Sequence, residues 1–150
     1  MTSRTTIDNF LAQKKLAVVG VSRNKNKFGN IIFRLLKERG YQVYPINPNA
    51  ETIEGTQCYP SLEKLPEPVE GIVINVPPGQ TLEVLKSALE LKLLRVWLQQ
   101  GSESNEVISF CRMNEFEFIS GHCILMFAEP VGFGHRIHRW LWKILGKLPQ

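Results

Sequence analysis

Residues 16–36 read LAVVGVSRNKNKFGNIIFRLL, and the order of parts in this stretch decides the fold. Leu16-Ala17-Val18-Val19 is a short continuous apolar run, the pattern of a strand buried on both faces of a parallel sheet. Gly20 ends that run. Arg23, Lys25 and Lys27 then place three cations in a short loop, and from about Asn30 to Arg39 the residues Ile31, Ile32, Leu35 and Leu36 form one helical stripe. Gly40 supplies the left-handed cap at its end. A helix that opens directly after a strand offers unpaired backbone N–H groups and a partial positive charge, to which Ser22 adds a hydroxyl donor. These are the parts of a phosphate site. The competing reading is a solvated basic surface loop.

Working outward, residues 5–15 (TTIDNFLAQKK) predict a leading helix with Thr5 or Thr6 as cap and Ile7, Phe10 and Leu11 on one face. YQVYPIN (41–47) is a second strand with Pro45 near its end. Residues 48–70, rich in Pro, Gly, Glu and Thr, are expected to run along a sheet edge, with a short strand near Gln57–Tyr59 and a helical turn at SLEKL (61–65). GIVINV (71–76) is a third strand, stopped by Pro77-Pro78. GQTLEVLKSALELK (79–92) is a helix with Leu82, Leu85, Leu89 and then Leu93 inward. LRVWLQ (94–99), SESNEVISFCRMN (102–114) and FEFIS (116–120) follow as strand, helix and strand. This alternation predicts an α/β fold: a Rossmann-like three-layer sandwich, its sheet mostly parallel and five- or six-stranded, with helices on both faces. Ligands of such sheets bind at the carboxyl ends of the strands, near the reversal of strand order. Four loops then become candidates, at 21–28, 47–50, 75–79 and 99–102.

A chain of 150 residues with 43% hydrophobic and 21% charged residues fits one soluble globular domain with a proper core. No apolar run is long enough to span a membrane, and the first residues lack a signal-peptide apolar region, so a cytoplasmic protein without integral membrane association is expected. Cys58, Cys111 and Cys123 are odd in number and widely spaced, which suggests neither a disulfide framework nor a metal knuckle. Reduced thiols and no metal are expected. The net charge of +4 is modest but clumped, in the 22–28 loop and near the C-terminus.

A dinucleotide is the obvious phosphate ligand, and two features oppose it. Gly20 and Gly29 lie too far apart for the tight three-glycine turn, and the second strand ends in INPN where a ribose-binding Asp or Glu is normal. A ligand with an extra ribose phosphate, NADP-like or CoA-like, suits the cations better. The ordered set GVS (20–22), INP (46–48), YPSL (59–62), VPP (76–78) and QQG (99–101) resembles the small stand-alone CoA-binding proteins, which are similar to the N-terminal CoA-binding domain of the succinyl-CoA synthetase α chain. The resemblance covers about residues 10–127.

That resemblance implies CoA lying across the carboxyl edge of the sheet, with CoA or an acyl-CoA as ligand. It places Gly20, Ser22, Arg23, Lys25 and Lys27 at the CoA phosphates and Asn47-Pro48 at the nucleotide end. Val76-Pro77-Pro78 would line the site, and Gln99-Gln100-Gly101 would flank it. The synthetase domain has a lysine just past its second-strand proline. Here Asn49-Ala50-Glu51 follows, so the ribose phosphate loses that contact unless Arg23 or Lys25 covers it.

No catalytic residue is assigned. His122, His135 and His138 lie outside any phosphohistidine context, so a binding protein is expected rather than an enzyme. Cys123 beside His122 leaves a thiol-dependent redox protein as one alternative, and an NAD(P)-binding regulatory module as another. Cys123 also reads as a small buried hydrophobe before ILMF. The domain is taken as residues 1–129. In the remaining 130–150, Ile137, Trp140, Leu141, Ile144, Leu145 and Leu148 recur at helical spacing, with Arg136, Arg139, Lys143 and Lys147 on another face. Such a basic amphipathic helix is expected to dock on the domain or on a second subunit, as in a homodimer. An anionic membrane surface is the other reading. Nucleic acid is not expected, because no aromatic and basic strand platform accompanies the helix.

Overall fold

The structure is a computed structural model that describes residues 2–128; the tail helix read over 130–150 lies outside the described residues. In chain order the elements are α1 (Arg4–Leu11), β1 (Lys15–Val19), α2 (Phe28–Glu38), β2 (Gln42–Ile46), β3 (Thr52–Ile53), β4 (Thr56–Gln57), β5 (Gly71–Ile74), α3 (Pro78–Glu90), β6 (Arg95–Leu98), α4 (Asn105–Met113) and β7 (Glu117–Ile119). The 3-10 turns Leu62–Lys64 and Ile124–Met126 complete the set.

Five strands make one sheet in the order β2-β1-β5-β6-β7, and every neighbouring pair is parallel. The expected Rossmann-like sheet is present, with five strands. From β1 the chain moves outward to β2, then returns to β5 on the other side of β1. Strand order therefore reverses between β1 and β5, and the loops after these strands diverge to leave a crevice.

Side-chain alternation sorts the core into two layers. Leu16 and Val18 of β1 join Ile7 and Phe10 of α1 and Ile32, Phe33 and Leu36 of α2. Ala17 and Val19 face the other way, towards Leu85 and Ala88 of α3 and Val107 and Cys111 of α4. Trp97 of β6 is fully buried on the first face, edge-on to Phe10 with ring centroids 5.5 Å apart.

Several local details differ from the sequence expectation. Ser3 caps α1, its Oγ accepting from the Thr6 N–H at 3.1 Å, while Thr5 and Thr6 lie inside the helix. Helix α2 starts at Phe28, and its buried stripe is Asn30, Ile32, Phe33 and Leu36, with Ile31 and Leu35 only partly buried. The short strand expected near Gln57–Tyr59 is Thr56–Gln57, which pairs with an unforeseen strand, Thr52–Ile53, in a hairpin, and Tyr59 makes a single parallel bridge to Ile46. The turn in SLEKL is present at Leu62–Lys64. Pro45 is tolerated because β2 is an edge strand of the five-stranded sheet. Its carbonyl accepts from the Tyr59 N–H at 3.0 Å on the outer side, which is also where its missing N–H would point.

Candidate functional site

The site is built where β1 meets α2. Gly20 has φ +113, and a Cβ there would collide with the carbonyl oxygen of Asn75 after β5. A Cβ on Gly29 would collide with the Gly20 carbonyl. The close approach of helix and strand that a dinucleotide fold obtains from a three-glycine turn is achieved here by two distant glycines. The first turn of α2 is thereby pressed against the end of β1, with the basic loop thrown out between them.

The loop is held by a residue that the sequence reading did not single out. Asn30 is fully buried, a cost that a polar amide avoids only through hydrogen bonds. Its Oδ1 accepts from the Ser22 N–H at 2.8 Å and its Nδ2 donates to the Ser22 carbonyl at 2.7 Å. The loop then folds on itself: the Asn24 N–H donates to Ser22 Oγ at 3.0 Å, the Asn26 N–H to Asn24 Oδ1 at 3.0 Å, and the Lys27 N–H to the Asn24 carbonyl at 3.0 Å. The hydroxyl of Ser22 is thus engaged within the loop. Lys25 and Lys27 are exposed, and among the described residues no carboxylate pairs with either. Arg23 bends towards β2 and donates to the Asn49 carbonyl.

A cleft of about 430 Å³ opens at the carboxyl ends of β1, β2 and β5. Gly20, Asn47, Pro48 and Val76 line it, whereas Ser22, Arg23, Lys25, Lys27, Pro77 and Pro78 are not among its lining residues. Asn47 is fixed by donating from Nδ2 to the Val21 carbonyl at 2.9 Å, while its Oδ1 accepts from the Asn49 N–H at 2.7 Å. Two walls were not foreseen. One is the 60–62 segment, and the other is the Gln80, Val84 and Ser87 face of α3. That face has the i, i+4, i+7 spacing of a helical stripe, which was legible in the sequence once the helix was placed. Pro77 caps α3 with extended backbone and Pro78 opens it, where its missing N–H has no helical partner to lose. Thr81, fully buried, bonds back to the Val76 and Pro77 carbonyls at 3.2 Å and fixes this corner.

The loop after β6 stands apart from the cleft lining. Gln99 is almost fully buried, its Oε1 accepting from the Ile124 N–H at 2.8 Å and its Nε2 directed at Cys123 Sγ at 3.5 Å. Gln100 donates to the Gly121 carbonyl at 3.1 Å, and Gly101 turns the chain with φ +94. These residues brace the 121–124 turn against the sheet.

Charge around the cleft is mixed. Glu63, beside the Leu62 wall, is held below its ordinary value by hydrogen bonds from its own backbone N–H and from Ser87 and Ser61. Burial pushes the Cys123 thiol up and the His122 imidazole down, the reverse of what an activated thiolate–imidazolium pair requires. Among the described residues no group of three or more His, Cys, Asp and Glu side chains could hold a metal ion, and no helix is long and apolar enough to cross a membrane. The chemistry on offer is anion binding beside an apolar slot: a glycine-walled strand end with no room for a Cβ, cations in the loop that continues from it, and Val76 and Val84 inside.

Comparison with known proteins agrees with this geometry. The family model described as CoA binding domain matches residues 14–129. An ADP-forming acetate–CoA ligase of Archaeoglobus fulgidus is 40% identical over 74 residues, which is 48% of this chain and 11% of the ligase. The match therefore spans about a tenth of that relative's length. A conserved hypothetical protein of Pyrococcus furiosus has a solved structure at 42% identity and TM-score 0.70, covering 74% of this chain and 96% of that one. A hypothetical protein of Pyrococcus horikoshii is similar at 29% identity and TM-score 0.76, covering 83% of this chain and 87% of that one. With its family model spanning most of its length, the chain belongs to the CoA binding domain family, a Rossmann-like relative of the CoA-binding region of these ligases.

Proposed function

We propose that the cleft holds CoA or an acyl-CoA and that the chain acts as a binding protein, with no catalytic residues of its own. The observation that carries this reading is the coincidence of the strand-order reversal with a cleft lined by Gly20, Asn47, Pro48 and Val76, the loop that continues from its Gly20-Val21 wall carrying the cations Arg23, Lys25 and Lys27. The first turn of α2 presents its backbone to the pyrophosphate, and Ser22, its own backbone groups bonded to Asn30, shapes the loop around it. Arg23, resting on the Asn49 carbonyl, stands where the family's second-strand lysine is missing and takes the ribose phosphate. Pro77 and Pro78 stiffen the loop under Val76. Gln99, Gln100 and Gly101 support from behind, through the 121–124 turn. The three buried free thiols suit a reducing compartment such as the cytoplasm.

Isothermal titration of the whole chain with CoA, dephospho-CoA, NAD and NADPH tests this. Micromolar CoA binding that exceeds both dinucleotides is the expected result. A preference for NADPH would transfer the site to a nicotinamide cofactor, and no binding of any of the four would leave the cleft without this role.

A further inference from the structure

The hairpin between β3 and β4 has a two-residue loop, Glu54-Gly55, with φ +49 and +78. Two successive positive φ values make a type I′ turn, whose first position normally carries Asn, Asp or Gly. Glutamate is a poor choice there, since an L side chain adopts left-handed backbone only at a cost. A non-glycine residue held in such a conformation directs attention to what its side chain does.

The Glu54 carboxylate reaches across to α2. Its Oε1 accepts from Arg34 Nη1 at 2.6 Å and its Oε2 from Asn30 Nδ2 at 3.3 Å. These two side chains are the same ones that hold the basic loop. Asn30 bonds both backbone groups of Ser22, and Arg34 Nη1 also donates to the Lys25 carbonyl at 3.0 Å. Each donor nitrogen therefore spends one hydrogen on Glu54 and the other on the loop. One carboxylate sits behind both anchor points, at the start and in the middle of the cationic stretch.

We propose that Glu54 is the positioning residue of the basic loop: it orients Asn30 and Arg34 and, through them, fixes Ser22 and Lys25 before a phosphate arrives. The role in ligand capture rests on the reading of this loop as a phosphate grip. Glu54 also pairs off Arg34, which leaves Arg23, Lys25 and Lys27 as the cations that meet the ligand. The strained turn is retained because a residue better suited to it would be too short to reach α2.

Glu54→Asn separates positioning from turn stability. Asparagine suits the left-handed turn, so the melting temperature of the full chain should equal or exceed that of the original protein. The amides of Ser22, Asn24 and Lys27 should nevertheless exchange about tenfold faster by NMR, the loss of roughly one hydrogen bond's protection. Amides of β1 and β5 should not change, and the CoA dissociation constant should rise about tenfold. Glu54→Ala should give the same local loosening. Unchanged exchange at Ser22 in both variants, or faster exchange spread through the sheet with a lower melting temperature, would overturn the proposal. If the original protein binds no CoA, the phosphate-grip reading fails, while exchange at Ser22 still decides whether Glu54 orders the loop.

Discussion

Gly29 lies so tightly against Gly20 that a Cβ on Gly29 would stand under 3.0 Å from the Gly20 carbonyl oxygen. The neighbour is backbone at the end of a central strand, so it cannot swing aside as a side chain would. Gly29 is in ordinary helical conformation, and the restriction is therefore one of space rather than of φ. Gly29→Ala should force α2 away from β1, lowering stability by about 1–3 kcal/mol, as overpacking in a core does. Thermal melting of the variant beside Gly79→Ala, where the added Cβ meets open space, measures it. Equal melting temperatures for the two would show that α2 does not depend on this contact.

Arg23 is the cation nearest the β2 loop, through its bond to the Asn49 carbonyl. Arg23→Ala should weaken CoA by about 1–3 kcal/mol, the worth of a charge-assisted hydrogen bond, and dephospho-CoA much less. Paired titrations of both ligands settle it. An equal loss for the two would move Arg23 to the pyrophosphate and leave the ribose phosphate to Lys25 or Lys27.

The strands and helices were legible because burial on two faces leaves continuous apolar runs such as Leu16–Val19, and burial on one leaves a helical stripe. What escaped reading were polar groups used inside. Asn30 counts as a solvent position in any hydrophobic pattern, yet it is fully buried because Ser22 satisfies both ends of its amide. The hairpin at Thr52–Gln57 escaped because two-residue strands carry no periodicity, and Glu54 is an atypical turn residue. Gln99 shows the converse limit. Its position after β6 was readable, but the direction of its side chain, inward to Ile124, depends on where the later turn packs.

Val84 forms part of the cleft wall and is only partly buried, so a larger side chain there fills the cleft without entering the core. Val84→Trp should leave folding near that of the original protein and abolish CoA binding. Circular dichroism with titration checks both halves. Retained CoA affinity in a folded variant would place the ligand outside this cleft.

Cys58, Cys111 and Cys123 are all buried, and burial raises each thiol, that of Cys111 to about 11. At about pH 8 the native chain should react slowly with Ellman's reagent, and all three thiols should react once it is denatured. A fast thiol identified as Cys123 by mass spectrometry would restore a redox role for that residue.

At the other end of the sheet, two carboxylates tie the 66–70 segment to the start of β1. Glu67 accepts from Lys15 Nζ at 2.6 Å and from the Tyr44 hydroxyl, and these bonds hold its carboxyl below the ordinary range, with the Lys15 contact the larger cause. Glu70 is lowered chiefly by the Lys14 N–H, which donates to it at 2.7 Å. With folded values depressed, the unfolded chain binds more protons as the pH falls through the ordinary carboxylate range, so stability drops on that side and is fully present above it. Urea midpoints followed from about pH 7 down to about pH 2 should decline through this window. The double variant Glu67→Gln/Glu70→Gln should start lower at neutral pH and decline less steeply. Curves that run parallel would mean that other carboxylates carry the acid sensitivity and that this strap contributes little to the fold.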